Sequence, residues 1–290
     1  MLSKYTGKRR KQAITGLLFI LPSLAGVMVF VFFPFLDVLC QSFQGPVLRE
    51  WRGIENYRIL FETSAFRLAA MNTLRFTAVC IPVLVVLSLL LAIVLQNIGT
   101  SGRIFKSAFL VPMAVPVASV VLFWRVMFHE KGLLNALLAK LGGISKDWMN
   151  TGTAFWILVG SYIWKNLGYD IVLWMAGLMG IPSAIYEAAR VDGAGHFQCF
   201  LHITLPNLKP MFYTITVLSF LNSFKVFREG YLVAGDYPHE SMYLLQHLFN
   251  NWFGKLEFDK IASAAVLVVL VITCLILLLK RIWEQEGKHR

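Results

Sequence analysis

Charge is what this chain has least of: Asp, Glu, Lys and Arg make up 15% of its 290 residues, where soluble domains carry about a quarter. The scarcity is uneven, with 16 acids against 27 Lys and Arg and a formal charge of +11. Other absences exclude whole classes of chemistry. The four cysteines, Cys40, Cys80, Cys199 and Cys274, show no CxxC spacing, so neither a disulfide framework nor a thiolate metal site is expected. The six histidines include no HExxH pair. No GxxxxGK[ST] phosphate loop occurs, so the chain is not expected to hydrolyse ATP. No nucleophile and base pair or metal cluster gathers at one membrane face, which argues against an enzyme, with no catalytic residue, resident cofactor or metal expected.

What is abundant is apolar surface. The composition is 57% hydrophobic and 14% aromatic, with a mean hydropathy of +0.65, as befits a membrane protein. A spanning helix needs roughly 20 mostly apolar residues, and six windows qualify. They are Gln12 to Leu36, Phe76 to Gly102, Ser107 to Trp124, about Ala154 to Ile181, a run after Pro210 that meets Lys225, and Ile261 to Leu279. The fourth carries Lys165 and Asp170 near its middle. The expected fold is therefore all-α: a polytopic membrane protein with six transmembrane helices.

"KRRK" before an apolar run resembles a cleavable leader, but the run is long and lacks a small-x-small site, so a retained first span is expected. Orientation follows from the positive-inside rule. Lys4, Lys8, Arg9, Arg10, Lys11, Arg103, Lys106, Arg190, Lys209, Lys280, Arg281, Lys288 and Arg290 all fall on one side if both termini are cytoplasmic. The basic excess is thus explained by topology and anionic lipid, and no nucleic-acid partner is needed. The boundaries are a cytoplasmic segment at 1–11, a first transmembrane helix at 12–40, an extracytoplasmic loop at 41–69, a transmembrane core at 70–281 and a cytoplasmic tail at 282–290.

Within that core, "EAARVDGAGHFQCFLHITLP", residues 187–206, is a polar interruption on the cytoplasmic side. Pro182 and Ser183 suit a helix start, Gly193 a helix stop, and Phe197, Phe200 and Leu201 recur at helical spacing afterwards. Two short helices joined at a glycine are expected. An interfacial connector would be Lys/Arg-rich on its polar face, whereas Glu187, Arg190 and Asp192 suit a protein partner.

The order Glu187-Ala188-Ala189, three residues, Gly193, nine residues, Ile203, one residue, Leu205-Pro206 resembles the EAA loop of the membrane subunits of binding-protein-dependent ABC importers. The longer form, through "ITLPNLKP", is similar to that of carbohydrate-importer permeases, as are "LLFILPSLAGVMVFVFFPFLDVLCQSF", "NTLRFT", "GRIFKSAFLVPMAVP" and "WKNLGYD". The chain resembles the larger maltose-type or glycerol-phosphate-type permease without its long outer insertion. The resemblance implies the type I importer transmembrane fold, with coupling helices that dock in a cleft of the ATP-binding subunit. Glu187 would contact the ATPase, Ala188 and Ala189 would permit close approach, Gly193 would set the bend, and Asp192, Ile203, Leu205 and Pro206 would complete the coupling surface. Implied partners are a second, homologous permease, two ATP-binding subunits that hold ATP and Mg, and an extracytoplasmic solute-binding protein, in the cell membrane.

Polar groups at membrane depth are pathway candidates. Tyr162, Lys165, Asn166 and Tyr169 lie at i, i+3, i+4 and i+7, and Ser219, Asn222 and Ser223 at i, i+3 and i+4. Hydrogen-bonding groups beside aromatic surface suit a sugar, although such polar sets also serve helix packing. Related maltose permeases line their substrate site from these two spans; of the identities only Ser219 is retained, which points away from maltose itself. Lys165 faces either the cavity or Asp170, at a spacing of five that is poor for a pair on one helix. Pro112 and Pro116 permit either a gating bend or a static kink. Arg125 is expected to snorkel. The stretch from Gly235 to Phe253 suits capping the bundle or receiving the binding protein. The expected function is permeation of a carbohydrate, with glycerol phosphate or a polyamine as other cargoes and a proton-coupled secondary transporter using Asp170 as the competing class.

Overall fold

The computed structural model describes residues 2–46, 48–98 and 102–288, with side chains for 14–46, 48–96, 98 and 107–281. The basic side chains from Lys4 to Lys11, Arg103, Lys106, Lys288 and Arg290 lie outside those described side chains, as do residues 99–101 of the second window. No strand occurs among the described residues beyond one isolated bridge, Gln44 to Trp51.

Two units are distinguishable. The first comprises residues up to Thr63 with Trp252–Val271. It opens with α1 (Leu2–Val27), a π-turn (Met28–Phe32) and α2 (Phe33–Gln41). The π-turn sits immediately before Pro34, where the Phe33 N–H reaches back to Met28 O. Proline has no N–H to continue the ladder and its ring crowds the preceding turn, which a wider turn relieves. The chain then folds back onto Ser42. Asn56 on α3 (Glu55–Glu62) donates to Ser42 O at 3.0 Å and Gln44 O at 2.8 Å, and Ser263 donates to Ser42 O at 3.1 Å. These bonds satisfy a backbone that has left its helix and would otherwise be unpaired.

The second unit comprises Ser64–Asn251 with the residues from Ile272. Its centre is α4 (Ser64–Asn97) packed along α8 (Thr153–Met179). Both bury helical stripes: Val85, Leu89 and Ala92 on one, Ile171, Trp174, Met175 and Leu178 on the other, joined by Ile215 and Phe220. In lipid such burial gains little from leaving water, so close packing and internal polar bonds hold the helices together. One such bond is Trp174 Nε1 to Ser88 Oγ at 3.0 Å, between buried residues.

Between α4 and α8 lie α5 (Gly102–Ala114), α6 (Val117–Phe128) and α7 (Leu133–Lys140). The third expected span is not one straight helix. Ser107–Ala114 and Val117–Lys140 diverge by 95°. Pro116 stands at the break with φ −57° and ψ 140°, and Pro112 has already removed one ladder donor. Arg125 is exposed and engaged at its tip. Its Nη2 donates to Leu232 O at 2.7 Å and Val233 O at 3.3 Å, capping the carbonyl end of α13 (Phe227–Ala234), where a cation also suits the helix dipole.

Beyond α8 come α9 (Ser183–Val191), α10 (His196–Cys199), α11 (Leu205–Asn207) and α12 (Lys209–Ser223). The run after Pro210 therefore gives 15 helical residues, about 22 Å at 1.5 Å per residue, followed by a 3-10 turn (Phe224–Val226) and α13. By length and composition three helices can cross a membrane, or five if each bent pair is one span, among the described residues. The long ones are Ile14–Gln41, Ser64–Gln96 and Phe258–Arg281, the last within α15 (Phe258–Lys288).

The segment after Gly235 caps the second unit. Asn72 donates to Glu240 O and Tyr243 O, and Leu245 N–H donates to Thr73 Oγ1 at 3.0 Å. On α14 (Leu245–Gly254), His247 is buried against Phe227 and Tyr243, its Nδ1 accepting from Leu244 N–H and its Nε2 unpartnered. Burial pushes this imidazole down to about 4. A folded pKa below the unfolded value means the unfolded chain binds the extra proton, so stability falls with acidification between about 6.5 and about 4. Thermal unfolding at pH 7.5 and pH 5 is expected to show this loss, and His247→Gln to diminish it.

Candidate functional site

Two constellations carry the residues singled out by the sequence. The first is the loop after α8. Helix α9 ends in a Schellman turn: Ala194 N–H bonds to Ala189 O at 2.9 Å and Gly193 N–H to Arg190 O at 3.1 Å. Gly193 holds φ +84°, a conformation that side chains with a Cβ rarely adopt. The chain then enters α10, whose Gln198 side chain accepts from the Gly195 N–H at 2.9 Å. A π-turn (Phe200–Thr204) follows, ahead of Pro206 much as the earlier one precedes Pro34. Tyr186 and Thr204 share a hydroxyl bond of 2.8 Å that ties the two arms together.

The glycine-jointed pair of short helices thus forms as expected. Glu187, Ala188, Asp192, Gly193 and Leu205 are exposed, while Ala189, Ile203 and Pro206 are half-buried. Apolar exposure here is large, with Val191 at 88% and Phe197 at 72%. A cleft of about 900 Å³ opens beside the loop, bounded by Tyr186, Glu187 and Arg190 on one arm, His196 and Phe200 on the other, and Gln96 of α4.

The second constellation is a cavity of about 160 Å³. Helix α8 presents Tyr162, Lys165 and Asn166 to it, and Asn222 comes from the end of α12. Met113 and Val117 reach it from the two sides of the proline break. Lys225, Arg228 and Glu229 complete the lining. The polar groups are interlocked: Tyr162 OH donates to Ser219 O at 2.5 Å, Asn166 Nδ2 to Tyr162 O at 2.8 Å, and Lys165 Nζ stands 2.6 Å from Glu229 Oε1.

Of the sequence candidates, Tyr162, Lys165, Asn166 and Asn222 meet in this cavity, whereas Tyr169, Ser219 and Ser223 do not line it. Ser219 is buried and donates to Asp170 Oδ2 at 2.9 Å, and Ser223 donates to its own helix at Phe220 O. Asp170 is thereby engaged with Ser219, and the partner of Lys165 is Glu229, not Asp170. Glu229 was not among the candidates because it follows the helix break, beyond the run whose periodicity was readable. Lys225 and Arg228 were missed likewise, although three charges within five residues of an apolar run were a usable signal.

The chain as a whole is similar to known proteins. Residues 64–286 match the family described as "Binding-protein-dependent transport system inner membrane component". The chain is 33% identical over 283 residues to the arabinooligosaccharides transport system permease protein AraP of Bacillus subtilis, covering 93% of this chain and 90% of the relative. It is 29% identical to the trehalose/maltose transport system permease protein MalF of Thermococcus litoralis, covering 93% and 94%. To the sn-glycerol-3-phosphate transport system permease protein UgpA of Yersinia pestis it is 26% identical, covering 94% and 95%. Among solved structures it shares its fold with a chain of a bacterial ABC transporter that imports the acidic polysaccharide alginate, at a TM-score of 0.83 and 21% identity, covering 98% of this chain and 99% of that one.

Proposed function

Given that this chain belongs to the family of binding-protein-dependent transport system inner membrane components, we propose that it forms, with a second and homologous permease, the path by which a carbohydrate handed over by a solute-binding protein enters the cell. Its own residues perform no reaction on the cargo. Two ATP-binding subunits, which hold ATP and Mg, dock on the loop at 187–206. ATP binding favours an outward-open arrangement and hydrolysis returns it inward, each nucleotide state acting through its different affinity for the two arrangements. Both termini lie in the cytoplasm of a cell whose plasma membrane holds the complex.

The observation that carries this reading is the exposed pair of helices around Gly193. Among the described residues nothing covers Val191 and Phe197, which are exposed there, while Glu187 and Arg190 frame the adjoining cleft. An apolar centre rimmed by charge is the make-up of a protein interface. The sugar reading rests on the cavity, where Tyr162, Asn166 and Asn222 offer hydrogen bonds beside an aromatic ring, and on the oligosaccharide-transporting relatives.

The test is purification in mild detergent with identification of the accompanying chains, for the wild type and for Gly193→Pro. Proline cannot adopt φ +84° and removes the N–H that bonds Arg190 O. The wild type is expected to bring an ATPase and a second permease, and the variant to retain the permease and lose the ATPase. Recovery of this chain alone, with uptake intact, would sink the proposal.

A further inference from the structure

The cavity on α8 is charged in an unbalanced way. Lys165, Lys225 and Arg228 face a single carboxylate, Glu229, so three cations less one anion leave a lining of +2. Lys165 is already engaged at 2.6 Å with Glu229, and that pair, with side chains 20% and 7% exposed, presents no net charge to a guest. The imbalance therefore resides in the other two. Lys225 Nζ donates to the neutral amide oxygen of Asn222 at 2.8 Å, and among the described residues neither Lys225 nor Arg228 stands in an ion pair. Glu229, only 6% exposed, keeps a second carboxylate oxygen, Oε2, buried and without a partner.

Resting on the reading of this chain as a carbohydrate permease, we propose that the cargo carries an anionic group, a carboxylate or a phosphate, received by Lys225 and Arg228. Lys225 and Arg228 are both exposed and outside any ion pair, and a neutral sugar would leave both without a counter-charge. An anionic sugar supplies the missing charge, and the planar guanidinium of Arg228 suits the paired oxygens of either group. Lys165 acts here as a positioning residue, neutralising Glu229 through Oε1 so that the carboxylate does not oppose an anionic guest.

The assembled importer, with its partner permease, ATPase and binding protein, is reconstituted in vesicles and offered trigalacturonate, glucose 6-phosphate, maltotriose and glycerol 3-phosphate separately. Uptake of trigalacturonate or of glucose 6-phosphate is expected, and which of the two enters separates carboxylate from phosphate. Lys225→Gln with Arg228→Gln is expected to lower that uptake by about tenfold or more, whereas Lys225→Arg, which keeps both charges and the Arg228 guanidinium, keeps it within about threefold. Copurification of every subunit with the glutamine variant serves as the folding control. Entry of maltotriose unaffected by the glutamine variant overturns the assignment, as does an ATP-hydrolysing importer that accepts none of the three anions. Loss of the second permease from the glutamine variant also overturns it, because the two cations then pair across the subunit interface. Entry of glycerol 3-phosphate alone, with the same dependence on the two cations, keeps the anion assignment and refutes the carbohydrate reading.

Discussion

Lys165→Gln is expected to lower the thermal stability of the purified protein by about 2–3 kcal/mol, more than the loss of both members of its ion pair. The reasoning turns on what is left behind. Glu229 is almost wholly enclosed and one of its oxygens has no partner even in the wild type. Removing the ammonium 2.6 Å away orphans the other oxygen as well, leaving a buried carboxylate with no direct ion pair. Breaking a buried pair from one side costs about 3–5 kcal/mol in soluble proteins, and the partial exposure of Lys165 places this case toward or below the lower end. Glu229→Gln should cost less, because the lysine stem can carry its charge toward water and the new amide still offers an oxygen. The double variant Lys165→Gln with Glu229→Gln leaves two neutral amides able to bond to each other. The expected order of melting temperatures is wild type at or above the double variant, then Glu229→Gln, then Lys165→Gln. Strict additivity of the two single losses would show that the pair is not coupled in the protein.

The same pair shows where sequence reading succeeds and where it fails. On α8 the helical period carried the prediction: Tyr162, Lys165 and Asn166, one turn of a face, all reach the cavity. Tyr169 lies on that face but a further turn along the axis, about 10 Å from Tyr162 at 1.5 Å per residue, beyond the lining. On α12 the period grouped Ser219, Asn222 and Ser223, but a helix packed on two sides divides such a set. Ser219 turns to Asp170 on α8, Ser223 back to its own backbone, and Asn222 alone reaches the space. After Ser223 the helix tightens into a 3-10 turn, so the angular position of Lys225, Arg228 and Glu229 cannot be carried forward at a fixed angle per residue.

The loop at 187–206 was legible for the converse reason. A left-handed residue at a helix end admits few side chains, and Gly193 at +84° is therefore written in the sequence by its chemistry as well as by its spacing. The third hydropathic window was the opposite case. Hydropathy measures how far a run extends in sequence and is blind to direction, so Ser107 to Trp124 read as one window, and only Pro112 and Pro116 signalled the bend, which is 95° between Ser107–Ala114 and Val117–Lys140. That turn stands at the cavity, whose wall Met113 and Val117 line from its two sides.

Gly168→Ala is expected to destabilise the protein by about 3 kcal/mol or more and to abolish uptake, while Gly160→Ala, two turns earlier on the same helix, is neutral or stabilising. A Cβ on Gly168 would lie 1.8 Å from the carbonyl oxygen of Phe109 and 2.4 Å from its carbon. Both are backbone atoms of α5, so no rotamer change can make room, and the two helices must separate. At Gly160 nothing lies within 4 Å of the added carbon, and there alanine contributes only its better helix propensity, up to about 1 kcal/mol. The comparison holds residue type, helix and substitution constant and varies only the approach of a second backbone. Separation of α5 from α8 also reaches the cavity, because Lys165 and Asn166 lie on the turn preceding Gly168 and Met113 one turn beyond Phe109. A melting curve and an uptake assay on both variants therefore test whether this glycine sets the spacing of the pathway wall. Equal behaviour of the two variants would mean that α5 and α8 do not meet at this distance in the working transporter.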